Sequence, residues 1–191
     1  FVVALAVLLV LVALKVVRLR IGRATLLPLL VLAVFQPVVY YVAETFGVMR
    51  TTASESGVIT SAIPVAMLLT GAAVLGSRPS RRQVAGIAVT LAGVVATVVA
   101  GGLRVGLDVF GYLALLVAVA SYALYAVFAE RYAHARDVDK TFVMVASGAV
   151  IFGTVTVAQH AATGTLGELA ALPLARPDFG VAVGFLALGP T

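Results

Sequence analysis

The sequence predicts an all-α protein, a polytopic bundle of membrane helices, and three observations carry that prediction. Of its 191 residues, 62% are hydrophobic and 11% charged, against about 45–50% and about 25% in a soluble domain. Apolar runs approach the roughly 20 residues needed to cross about 30 Å of hydrocarbon, and they recur along the whole chain. The short gaps between the runs carry the basic residues in strict alternation. A water-soluble fold needs a polar shell that this composition does not supply, so most side-chain faces must meet lipid.

About seven helices fit the pattern, at residues 1–17, 24–43, 57–75, 83–100, 109–129, 141–158 and 179–191. The first and last read as partial spans, so the chain reads as a fragment. Its opening apolar run is followed, not preceded, by Lys15, Arg18, Arg20 and Arg23, which suits the tail of a span and not a signal peptide. Gap three adds Arg78, Arg81 and Arg82, and gap five adds Arg131, Arg136 and Lys140. Gaps two, four and six hold only Arg50, Arg104 and Arg176. Ten cations against three place the odd gaps on the cytoplasmic side. The stretch GSRPSRRQVAG at 76–86 is then a cytoplasmic hairpin, with Pro79 ending one helix and Ser80 as the N-cap of the next.

A partial internal repeat follows from spacing. Arg23 stands fourteen residues before Pro37, and Arg176 fourteen before Pro190. The first of these helices starts on the inner side and the second on the outer side, as an inverted-topology repeat requires.

Several function classes are excluded. A net charge of +5 and a pI near 10 do not indicate nucleic acid, because the cations sit in short gaps between apolar segments. With no cysteine, disulfides, thiol catalysis and zinc-thiolate sites are out. No nucleophile elbow, zinc-protease motif or phosphate loop occurs, so an enzyme is not expected. The two histidines, His134 and His160, flank opposite ends of the sixth segment and make no metal site. The centres of the spans hold no Asp, Glu, Lys or Arg, which argues against a buried carboxylate relay and a charged filter.

What remains is uncharged or near a span end. In FQPVVYYVAETFG, Gln36, Tyr40 and Glu44 share one helix face at i, i+4 spacing. Pro37 frees a carbonyl one turn earlier, and such broken backbone is tolerated where it lines a wet cavity. Two readings stand for these residues: substrate cavity, or interhelical packing with Tyr40 in the interfacial belt and Glu44 among the outer headgroups. Ser61 and Pro64, with Thr60, mark either a close crossing or a substrate-facing bend. Ser121, Tyr122 and Tyr125 place hydroxyls at mid-depth, lining a cavity or bonding between helices. Gly86 and Gly93, seven apart, are expected to seat a neighbouring helix.

The stretch from Glu44 to Val99 has small and hydroxyl residues opening a span, a proline within it, a short basic turn and a glycine-x6-glycine span. It resembles the end of the first EamA domain of the drug/metabolite transporter superfamily. DVFGYLALLVAVASYALYAVFAERYA resembles the opening of the second copy. Ser77 stands where the family pattern has an acidic residue, and Tyr122 where tryptophan is frequent. The resemblance implies an inverted five-plus-five helix repeat around a central cavity. Residues 1–100 would be the end of the first repeat (helices 2–5), 101–108 a linker, and 109–191 the truncated start of the second (helices 6–8). It further implies a bacterial cytoplasmic-membrane transporter of small organic metabolites or drugs, such as amino acids or nucleosides, acting by alternating access. The alternative is a non-transporting helical accessory or assembly protein. Expected partners are the lipid bilayer and a small-molecule substrate, with a homodimer left open and no nucleic acid. No cofactor and no metal are expected.

Overall fold

A computed structural model describes residues 1–76, 79–101, 108–132, 135–175 and 177–188. Ser77, Arg78, Arg104, His134, Arg176, Pro190 and most of the 101–108 linker lie outside the described residues. The described residues are helical and contain no strand. In order they form α1 (Val2–Ala13), α2 (Arg23–Ala33), a kinked segment (Val34–Val39), α3 (Tyr40–Val48), α4 (Ala53–Thr60), α5 (Ile63–Leu75), α6 (Arg81–Gly101), α7 (Val109–Arg131), α8 (Asp137–Thr163), α9 (Leu166–Ala175) and α10 (Pro177–Leu188). Four uninterrupted or bent rods are long and apolar enough to cross a membrane: Arg23–Val48, Ala53–Leu75, Val109–Arg131 and Asp137–Thr163. The 21-residue α6 covers the fourth expected span. Side chains such as Leu69, Val89, Phe110 and Val150 are 63–73% exposed, which fits a multi-pass membrane protein whose outward faces meet lipid.

The ends of these rods follow local chemistry. Thr52 caps α4 through a capping box: Glu55 N donates to Thr52 Oγ1 at 3.2 Å and Thr52 N donates to Glu55 Oε2 at 2.7 Å. That box starts the helix at Ala53, four residues before the apolar run expected at 57–75. Ser80 caps α6 in the same way through Gln83, as the sequence reading places it. Asp137 and Asp139 in the first turn of α8 complement the helix dipole and extend the sixth span at its front. Gly164 (φ 71°) closes that helix and Gly76 (φ 66°) closes α5, both in the left-handed conformation that glycine adopts without penalty. The gap expected between residues 158 and 179 contains α9.

The chain divides into two compact units. Phe1–Ala33 with Ala135–Thr191 makes one, in which α1 and α2 each pack on α8. Leu29, Leu32 and Ala33 are 1–2% exposed there, and the Phe1 ring stacks on Phe152 at 5.6 Å. At one end, Arg20 N donates to the buried carboxylate of Asp139 at 3.0 Å, and Arg136 donates to the Arg18 carbonyl at 2.7 Å. Gaps one and five therefore lie at the same end.

Val34–His134 makes the other unit, with α7 as its core, packed by α3, α4 and α5. Leu115, Ala118 and Ala123 are fully buried. Gly47 and Gly111 let α3 and α7 approach so closely that a Cβ on Gly47 would stand 2.6 Å from Leu115. Arg50 pairs with Asp108 at 3.4 Å, which brings gaps two and four to one end. Each unit thus obeys the parity that the alternating cations demand.

Candidate functional site

Within the unit formed by residues 34–134, the Arg23–Val48 rod breaks at Gln36. Its backbone there is extended (φ −140°, ψ 122°), and the Gln36–Pro37 peptide is cis. Pro37 has no N–H to offer the preceding turn, so the backbone at the break must find donors elsewhere. One comes from α7: Ser121 Oγ donates to the Phe35 carbonyl at 2.8 Å, and the Phe35 ring stacks on Phe128 at 5.8 Å. Hydroxyls commonly satisfy freed carbonyls in this way inside membranes.

Around the break, the side chains selected from sequence come together. Tyr40 Oη donates to Glu44 Oε1 at 2.8 Å. The Tyr40 ring meets Tyr122 edge-on at 5.5 Å and Tyr41 at 5.2 Å, and Tyr122 meets Tyr125 at 5.9 Å. Gln36 Oε1 is buried and accepts no hydrogen bond. Gln36, Pro37, Tyr40, Glu44, Ser121, Tyr122 and Tyr125 thus form one cluster on α3, the break and α7. Glu44 is half-buried in it, tied to a ring.

Ser61 and Pro64 do not join this cluster. Ser61 closes α4 by donating to the Val58 carbonyl, and Pro64 occupies the first turn of α5, where its missing N–H costs no hydrogen bond. Pro64 instead lines a groove of about 620 Å³ with Met67 and Gly71 of α5, Gln83 and Gly86 of α6, and Glu130 of α7. A Cβ built on Gly86 or Gly93 meets no described atom within 4 Å. His160 bonds through Nδ1 to the Thr165 hydroxyl at 2.7 Å, which ties the end of α8 to the turn after it.

Sequence reasoning missed a second polar group at the end of the same unit where Arg50 meets Asp108. Tyr112 Oη donates to Glu55 Oε1 at 2.6 Å, while the other oxygen of Glu55 holds the α4 cap. Thr51 bonds to the buried Ser56 at 2.9 Å, and Arg50 lies over the Phe46 ring at 4.5 Å. The Thr-x-x-Glu spacing of residues 52–55 was the available signal. The partner Tyr112, 57 residues away, had none.

Comparison with known proteins agrees with this architecture. A family model described as the EamA-like transporter family matches residues 1–99, which take in the break, the cap of α4 and most of α6. Over 172 residues the chain is 30% identical to the "uncharacterized transporter YcxC" of Bacillus subtilis (strain 168), an alignment covering 89% of this chain and 55% of that relative. The chain therefore spans about half the length of the curated relative it matches. No solved structure matches it. With the family model covering more than half of its residues, and with bilayer-length apolar helices throughout, the chain belongs to the EamA-like transporter family.

Proposed function

We propose that this chain is part of a bacterial cytoplasmic-membrane transporter for small organic metabolites or drugs, working by alternating access between two inverted repeats. Residues 1–100 would belong to the first repeat and 109–191 to the second. The cluster at the break is the solute site. The single observation that carries this reading is Gln36 Oε1, buried without a donor at a point where the helix leaves its regular geometry. An unmet acceptor of that kind costs about 1–3 kcal/mol, and a bilayer tolerates broken backbone where it borders a cavity. A solute bearing a donor would meet that need. The groove beside Pro64 and Glu130 supplies room on the basic side of the same unit.

The test is counterflow of radiolabelled amino acids, amines and nucleosides in proteoliposomes holding the full-length protein. Gln36→Leu is expected to reduce exchange at least about tenfold with membrane insertion unchanged. Unaltered exchange in that variant removes the cluster from the transport path. An accessory protein without transport, the alternative raised by the sequence, predicts no exchange of any solute.

A further inference from the structure

The side chains at the break also specify a charge type. Gln36 offers a carbonyl oxygen with no donor. Glu44 offers a carboxylate of which one oxygen is held by Tyr40, and no described Lys, Arg or His pairs with it. Tyr40, Tyr41, Tyr122 and Tyr125 surround these acceptors with linked edge-to-face rings, and an aromatic face carries negative potential. The nearest cations on these elements are engaged or remote: Arg50 is held by Asp108 and Phe46, and Arg131 is the last residue of α7. Besides the donor groups of the Gln36 amide and the tyrosine hydroxyls, the cluster presents one carboxylate without a paired cation among the described residues, one amide oxygen without a donor and several π-faces. An anion would find no positive partner among them, and a neutral solute would leave the carboxylate uncompensated in a low-dielectric setting.

Resting on the reading of this cluster as the solute site, we infer that it takes an organic cation: a small solute with a protonated amine and an apolar or aromatic body. Its ammonium sits against the faces of Tyr40 and Tyr122, with Glu44 as counter-charge and one N–H donated to Gln36 Oε1. Cation–π attraction strengthens when the charge is desolvated, as it is beside a span centre. The body of the solute packs on Tyr125 and the apolar wall of α7.

The experiment is isothermal titration calorimetry of the full-length protein in lipid nanodiscs, with empty nanodiscs as reference. Three probes of similar shape differ in charge: phenethylammonium, 2-phenylethanol and 3-phenylpropionate. Phenethylammonium is expected to bind at least about tenfold tighter than either other probe. Glu44→Gln is expected to weaken it about tenfold and Tyr122→Leu about fivefold, while Tyr122→Phe, which keeps the ring, restores most of what Tyr122→Leu loses. The series on the unaltered protein needs no variant to fold. If the alcohol or the carboxylate binds as tightly and that binding needs Gln36, the cation assignment falls while the solute site stands. If phenethylammonium binds equally to Glu44→Gln and Tyr122→Leu, the assignment also falls. If Gln36→Leu alters the binding of no probe, the solute site itself is overturned.

Discussion

Helices α6 and α7 are near equals in length, yet none of the described residues of α6 is buried while α7 is the core of the unit. On α7, seven residues from Gly111 to Val127 are buried. On α6, Val84, Val89 and Val95 are 48%, 73% and 58% exposed. Both carry glycines, and the glycines behave differently. A Cβ on Gly111 would stand 2.9 Å from Arg50 and Thr51, whereas one on Gly86 or Gly93 would meet nothing described. Lipid is as apolar as leucine, so hydrophobicity does not choose which helix is enclosed; close fit and polar bonds across helices do. Glycine permits a neighbour to approach, and only a complementary face makes it do so.

Three substitutions test that contrast, read by SDS-induced unfolding in mixed micelles followed by circular dichroism. The largest loss is expected for Gly47→Val, whose Cβ would fall 2.6 Å from Leu115 Cγ and 3.1 Å from the Gly111 carbonyl. Overpacking of that kind costs about 3 kcal/mol. A variant as stable as the parent would show that the α3–α7 contact is not tight. Ser121→Ala removes the hydroxyl that meets the Phe35 carbonyl and should cost about 0.6–1.7 kcal/mol, the range for hydrogen bonds between membrane helices; no loss would mean the break is satisfied without α7. Gly86→Ala, whose Cβ meets no described atom within 4 Å, should stay within about 0.5 kcal/mol. A drop beyond 2 kcal/mol, on the scale of roughly one buried packing contact, would reveal a close partner for α6 and erase the contrast.

Much of this architecture was legible in the residues. Hydropathy located the rods because desolvating a peptide bond in lipid leaves few alternatives to a long helix. Alternating cations set the parity that Arg50–Asp108 and Arg20–Asp139 reproduce. The kink at Pro37 and the cap at Ser80 were legible because each rests on local backbone chemistry. Span ends were less so: α4 starts before its apolar run and α8 begins at Asp137, since caps and dipoles, not hydropathy, decide where helices stop. Which faces meet was not legible at all. The i, i+4 spacing put Gln36, Tyr40 and Glu44 on one stripe, but only the fold adds Tyr122, 82 residues from Tyr40 in sequence, as its neighbour.

Glu55 ends with an obligation to two masters. One oxygen winds the first turn of α4 and the other grips a phenol on α7, so sliding α7 along α4 tugs on the very group that keeps that turn wound. Displacement of one rod and unravelling of the other's tip become a single event, and this end of the unit acts as a clasp that opens by losing helix.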